Sequence, residues 1–132
     1  MPTEYEALVE ALQQTNIPFA EYGWETRPEG TYGVVSLDFE AGAMNGDGGK
    51  QDRAFECSVD VFFRKLSDRA TVAATVEGIL ETCCGDSWQL NSFQHETENR
   101  LFHIEWVCRV MGTITAPQET QETQETQESG EA

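Results

Sequence analysis

Two stretches of the chain repeat apolar residues at the spacing of one helix face. Residues 3–14 carry the first stripe, at i, i+3, i+4 and i+7: Tyr5, Leu8, Val9 and Leu12. Residues 68–84 carry a second and longer stripe: Val72, Ala73, Val76, Ile79, Leu80 and Cys83. Each pattern predicts a helix with one buried face.

Between and after these helices, apolar and polar residues alternate with the period of two that is typical of a half-buried strand. The alternation runs over residues 31–40, 54–64 and 101–111, and shorter strands are predicted at 17–24 and 88–95. The buried faces are expected to hold Val35, Leu37 and Phe39; then Phe55, Cys57, Val59, Val61 and Phe63; then Phe102, Ile104, Trp106, Cys108 and Val110. This order predicts an α+β fold, with a mostly antiparallel sheet of four to five strands and two helices packed on one face.

The composition changes near residue 117. Residues 1–116 have the length and the apolar content of one domain. Residues 117–132 repeat the triplet QET and contain no apolar residue between Pro117 and Ala132. Such a segment buries too little apolar surface to offset the entropy lost on ordering, so we expect a disordered acidic tail.

The chain is strongly acidic, with 24 acidic and 8 basic residues and a net charge of −16. Five glutamates lie in residues 118–132; the rest of the chain keeps 19 acids and 8 bases, a net charge of −11. This charge argues against binding to nucleic acid or to an anionic membrane. The first residues lack the basic and apolar regions of a signal peptide, so we expect a protein used in the cytoplasm.

The four cysteines, Cys57, Cys83, Cys84 and Cys108, form no C-x-x-C pair. Structural zinc sites usually show such short paired spacings. We therefore expect free thiols that act as small core residues.

The glycine-rich stretch "AGAMNGDGGKQD", residues 41–52, raises two kinds of site. A phosphate-binding loop requires Ser or Thr after its lysine and a helix beyond, but Gln51 follows Lys50 and a strand comes next. A calcium loop that starts at Asn45 has Gly49 where a ligand is needed and Lys50 where the glycine is needed. The stretch is interpreted as a long connection between antiparallel strands.

The two histidines raise a third kind of site. A three-residue turn at 98–100 places His95 opposite His103, with Glu105 on the same face, and two imidazoles with one carboxylate are a metal-ligand set. A two-residue turn shifts the register by one, places His95 opposite Phe102 and removes the cluster. No motif of nucleophilic catalysis is present. We expect no catalytic residue and no cofactor.

Two apolar residues interrupt the polar side of the predicted sheet. Phe62 and Val107 lie on the otherwise polar faces of their strands. An apolar patch there requires more covering structure or a partner subunit. Because the chain is short, self-association is the preferred interpretation.

Residues 3–112 resemble the tail terminator proteins of long-tailed bacteriophages, the group of the lambdoid minor tail protein U. The segment most like that family is "VDVFFRKLSDRATVAATVEGIL", a strand, a short polar turn and a helix. The order of the other elements, from "EYEALVEALQQ" to "LFHIEWVCRVM", is also similar. The likeness is architectural, since that family has no invariant catalytic motif.

The resemblance implies a structural virion protein without enzymatic activity. Its hexameric ring would cap the tail tube, end tail polymerisation and provide the surface that joins the head. The implied partners are other copies of the chain, the tail tube protein and a head completion or neck protein, while DNA passes without specific binding and no membrane is involved. The implied location is the head-proximal end of the phage tail, after assembly in the host cytoplasm.

The partly apolar side of the predicted sheet and the long loop supply the candidate subunit or ring–ring interface residues: Phe62, Arg64, Val107, Asn45, Asp47, Lys50 and Asp52. Three alternatives stay open at this point. One is another head–tail connector or tail completion protein. The others are a cytoplasmic α+β binding module and a small metal-dependent enzyme that uses His95, His103 and Glu105.

Overall fold

The computed structural model describes residues 3–43 and 52–113. Helix α1 spans Thr3–Gln13 and helix α2 spans Arg69–Cys84, after a single 3-10 turn at Leu66–Asp68. Gly85 follows α2 with a φ of +60°, which glycine adopts at little cost because it has no Cβ. Both helices predicted from the apolar stripes are confirmed. No helix in the described part of the chain is long and apolar enough to cross a membrane.

Five strands form one sheet in the order β1-β2-β3-β5-β4. Their bounds are β1 Phe19–Glu21, β2 Tyr32–Ala43, β3 Asp52–Phe63, β4 Gln89–Glu96 and β5 Leu101–Thr113. Neighbouring strands are antiparallel except for β1 and β2, which are parallel. The predicted α+β class with a mostly antiparallel sheet is confirmed.

The parallel pairing of β1 with β2 requires a crossover between them. Residues 22–31 form this crossover, and it starts where Tyr22 takes a φ of +67° and Gly23 a φ of +150°. The strand predicted at 17–24 is therefore reduced to three residues. The Tyr22 backbone N–H still donates to the Val35 carbonyl oxygen at 2.9 Å, which holds the beginning of the crossover against β2.

The core lies between the helices and one face of the sheet. It combines the apolar stripes of α1 and α2 with one alternating set of strand residues. On β3 and β5 that set consists of Phe55, Cys57, Val59, Val61 and Phe63, and of Ile104, Trp106, Cys108 and Val110. The period of two predicted for these strands is confirmed, because the residues between them lie on the opposite face.

The alternation on β2 is broken by two register shifts, between Leu37 and Phe39 and between Glu40 and Gly42. The first shift pairs Phe39 with Glu56. The uninterrupted period of two predicted from Val35 through Leu37 to Phe39 is therefore wrong in its backbone register, because a residue is inserted after Leu37.

Both strands that flank the glycine-rich stretch are longer than predicted, because β2 continues to Ala43 and β3 begins at Asp52. Asp52 pairs with Thr113 on β5. The candidate interface residues Asn45, Asp47 and Lys50 lie outside the described residues, as does the segment 114–132.

The four cysteines are free thiols, as predicted. Cys57 pairs with Cys108 across β3 and β5, and both are buried. The hydrogen bond to Cys108 and burial raise the pKa of Cys84, and the hydrogen bond to Cys57 and burial raise the pKa of Cys108. A thiol with a raised pKa forms little thiolate, so these side chains act as core residues.

Candidate functional site on the open face of the sheet

The open face is the side of the sheet that points away from the helices. The β3–β5 register pairs Phe62 with His103, Asp60 with Glu105, and Ser58 with Val107 on this face. These side chains are half-buried, apart from Ser58, which is buried. The titratable side chains of Asp60, His103 and Glu105 therefore lie in a partly desolvated environment on the open face.

Four aromatic rings cross the open face as an aromatic ladder: Trp24, Tyr32, Phe62 and His103. The Tyr32 and Phe62 rings stack at 5.0 Å, and the Phe62 and His103 rings at 4.1 Å. Trp24 meets Tyr32 edge-on at 6.5 Å, and its indole N–H donates to the Gly33 carbonyl oxygen at 2.9 Å. Each such pair adds about 0.5–1.5 kcal/mol beyond its buried area.

The ladder explains part of the apolar character of the open face. Trp24 belongs to the crossover, and Tyr32, beneath it, is only 3% exposed. The expectation that the chain is too short to cover this face is wrong at that end, because Trp24 of the crossover packs against Tyr32 there. Phe62 packs between two rings, and therefore forms part of an internal stack rather than a free patch.

The other described interface candidates lie at the margins of the open face. Val107 is half-buried and lines a shallow cavity with Glu56, Gln89 and Arg109. Arg64 is exposed just beyond β3, and its Nε–H donates to the Glu29 carbonyl oxygen at 2.7 Å. This bond ties the end of β3 to the crossover.

His103 is the centre of a polar network. Its Nε2 lies 2.6 Å from Asp60 Oδ2, and its Nδ1 lies 3.4 Å from Glu96 Oε2. Glu105 accepts a hydrogen bond from the Asn91 side-chain amide at 2.8 Å. A second acidic group, Asp38, accepts hydrogen bonds from the hydroxyls of Ser36 and Ser58.

Burial and charge act against each other on these groups. Burial lowers the pKa of His103, but the hydrogen bond to Asp60 and the carboxylates of Asp60, Glu96 and Glu105 outweigh it and hold this pKa above the usual 6.5. Burial raises the pKa of Asp60, although the hydrogen bond from His103 lowers it. Protonation of His103 is thus favoured relative to a free imidazole, while ionisation of Asp60 is disfavoured relative to a free carboxyl group.

The predicted metal cluster does not form. His95 pairs with Phe102 and Glu96 with Leu101, so His95 lies on the helix side of the sheet and His103 on the open face. The register given by the three-residue turn is wrong, and the alternative register, with His95 opposite Phe102, is confirmed, although the last paired residues are Glu96 and Leu101. Among the residues that the structure describes, no group of three possible ligands is suited to a metal ion.

Neither a family model nor a curated protein matches the chain. The likeness to tail terminator proteins therefore stays a prediction. The open face and the edges of the sheet are the structural features that bear on function.

The raised pKa of His103 gives a testable pH dependence. Protonated His103 stabilises the fold fully below pH 6.5, and this stabilisation is lost as the pH rises through the higher folded-state pKa. We expect the free energy of unfolding in urea to fall as the pH rises above 6.5. His103→Gln should flatten this fall.

His95→Gln is the matched control, because His95 is exposed and lies on the other side of the sheet. This variant should retain the pH dependence of the parent chain. Equal slopes in the parent and in His103→Gln would show that His103 does not couple to folding.

Proposed function

We propose that this chain is a ring-forming structural protein at the head-proximal end of a phage tail. The observation that supports the proposal is that, within the described residues, the sheet has two different edges with unpaired strand backbone, although the Leu37 carbonyl oxygen on the β2 edge accepts a hydrogen bond from the Tyr22 hydroxyl at 3.3 Å. In the described residues, β4 pairs only with β5. At the other side, β1 pairs only with residues 33–35 of β2, so residues 36–43 pair only with β3.

Two unlike edges suit a closed ring. A head-to-tail assembly requires two different patches on each subunit, and a cyclic rotation then closes it without loose ends. Pairing of one subunit's edge strand with a neighbour's supplies backbone hydrogen bonds across the contact. The β4 edge and the outer part of β2 are such a pair of patches.

The proposed ring caps the tail tube, ends its polymerisation and provides the head-joining surface. Its partners are other copies of the chain, the tail tube protein and a head completion or neck protein. A net charge of −16 favours passage of DNA through the ring without adhesion, because like charges repel. The metal-dependent enzyme is not retained, since its three residues do not meet.

The backbone pattern identifies a residue at which to test the β4 edge. Gly33 N–H donates to the Pro18 carbonyl oxygen, on the β1 side of β2. Backbone groups point to alternate sides along each strand. The paired residues of β2, β3, β5 and β4 carry this alternation across the sheet. The backbone N–H and C=O of Gln94 therefore point towards β5, and those of His95 point away from the sheet.

Native mass spectrometry at tens of micromolar tests the ring. The expected mass is six times the 14.8 kDa of one chain. His95→Pro removes an outward N–H without breaking a sheet hydrogen bond, so it should stay folded and become monomeric. His95→Gln should stay hexameric.

Gln94→Pro is the structural control, because it removes a hydrogen bond to β5 and should lower the melting temperature. A monomeric parent chain would contradict the ring. A folded His95→Pro variant that remains hexameric would show that the β4 edge is not a ring contact.

A further inference from the structure

Five of the eight basic residues of this acidic chain lie at one end of the sheet. We call this surface the basic end: Arg27, Arg64, Lys65, Arg69 and Arg100. All five are exposed. The topology brings them together, because β3 ends at Phe63, which pairs with Phe102 just after the β4–β5 turn.

A small cavity lies in the basic end. It is lined by Arg27, Pro28, Glu29, Tyr32, Arg64, Asn99 and Leu101. Arg64 is positioned there through its bond to the Glu29 carbonyl oxygen at 2.7 Å, which engages Nε. Two guanidinium groups with an amide beside them suit the recognition of carboxylates.

The charges around the cavity distinguish it from the rest of the chain. Carboxylates of the same segments, including Glu25, Asp68 and Glu98, make the basic end near neutral overall. Among the described residues, the ion pairs within 4.0 Å both involve His103. In this part of the chain no carboxylate therefore forms an ion pair with Arg27 or Arg64. The remaining surface carries the chain's excess of negative charge and repels an anionic segment.

The segment 118–132 has the complementary chemistry. Its glutamates recur at every third residue: Glu119, Glu122, Glu125, Glu128 and Glu131. In an extended conformation with three residues per turn, this period places all the carboxylates on one side. We propose that the acidic segment 118–132 of one copy docks on the basic end of another copy, with its carboxylates held by Arg27 and Arg64.

The direction of β5 favours another copy over the same copy. β5 begins at Leu101, in the wall of the cavity, and ends at Thr113, from which the acidic segment continues. At about 3.3 Å per residue, its 13 residues carry the chain about 40 Å from the basic end. Glu119 and Glu122 lie six and nine residues beyond Thr113, so even a fully extended chain returns them only about 20–32 Å. Glu125, Glu128 and Glu131 could reach the basic end of their own copy, so it is docking of the whole segment that requires another copy.

A peptide titration tests this docking and does not require a ring. The probe is a fluorescein-labelled peptide of residues 118–132, and the receptor is the full chain with its five segment glutamates changed to Gln. At about 20 mM salt we expect saturable binding by anisotropy, weakened at least about tenfold at 0.3 M salt because exposed charges are screened. Arg27→Gln with Arg64→Gln should weaken binding at least about tenfold, as both guanidinium groups are lost.

Arg109→Gln is the matched control, an exposed arginine away from the basic end, and it should leave the affinity unchanged. A peptide with Gln at the five positions should not bind. At a concentration at which the unaltered chain is monomeric, it should bind the labelled peptide as well as the Gln receptor does.

Three results would overturn the proposal. The first is no saturable binding at low salt, and the second is equal binding by the Arg27, Arg64 variant. The third, measured at a concentration at which native mass spectrometry shows monomers, is binding at least about fivefold weaker for the unaltered chain than for the Gln receptor, which would place the segment on its own copy. A monomeric chain that passes the titration would contradict the ring and leave this docking intact.

Discussion

Trp106→Ala is expected to lower the free energy of unfolding by about 3–5 kcal/mol, the range for removal of a buried large aromatic side chain. Trp106 lies in β5, is 0% exposed and is part of the core between the sheet and the helices. Its indole N–H donates to Glu77 Oε2 on α2 at 2.9 Å. Truncation therefore leaves a cavity and also removes the partner of a half-buried carboxylate.

Trp88 provides a matched control in the same chain. Its indole N–H donates to Glu81 Oε2, also on α2, at 3.0 Å, but Trp88 is only partly buried. Trp88→Ala should cost less than half as much as Trp106→Ala, because less packing is lost. Trp106→Phe keeps most of the volume, so its cost isolates the loss of the hydrogen bond, about 1–3 kcal/mol.

Urea unfolding followed by circular dichroism measures all three variants. Equal losses for Trp106→Ala and Trp88→Ala would show that burial does not set the cost. A Trp106→Phe variant as unstable as Trp106→Ala would assign the effect to the Glu77 contact instead of the cavity.

The position of Trp106 also shows what the sequence predicts well. Its burial follows from the alternation of Phe102, Ile104, Trp106 and Cys108 within one strand, which needs no knowledge of any partner. The stripe of α2 is equally local, and Val72, Val76 and Leu80 are buried as expected. The spacing of apolar residues predicts which face of a helix or strand is buried, because that spacing depends only on the geometry of the single helix or strand.

Strand register and crossover connections depend on residues far apart in the chain, so the sequence pattern was insufficient to predict them. His95 opposes Phe102, the register that a two-residue turn predicts, but a three-residue turn is equally compatible with the alternation. The bulge after Leu37 depends on the long β2–β3 pairing. The crossover that covers Tyr32 depends on the parallel pairing of β1 with β2. A strand of three residues is too short for its pairing to be predicted from the sequence pattern.

The candidate site illustrates the same limit. Asp60 and His103 are 43 residues apart, and their 2.6 Å contact arises because Phe62 pairs with His103 across β3 and β5. No spacing rule within either strand reveals it. Phe62, an aromatic residue on a polar strand face, indicated where the aromatic ladder lies. It did not indicate which other residues belong to the ladder.

Gly33→Ala is expected to lower the free energy of unfolding by about 1–3 kcal/mol, the range for overpacking of a well-filled site. Gly33 lies in β2 directly opposite Phe19 of β1, and an added Cβ would lie only 2.2 Å from the Cε1 atom of the Phe19 ring. Phe19 is 6% exposed and part of the core, so its ring has little room to move. The backbone of Gly33 itself tolerates alanine, since its φ is not positive.

Gly78→Ala is the matched control, because Gly78 lies in α2 with nothing within 4 Å of an added Cβ. That change should raise the free energy of unfolding by about 0.5–1 kcal/mol, as alanine is the better helix former. Phe19→Leu should be less costly in the Gly33→Ala background than alone, because the smaller side chain makes room for the new methyl group. Additive costs in that double-mutant cycle would mean that the two side chains do not collide, and that β1 packs on β2 by another arrangement.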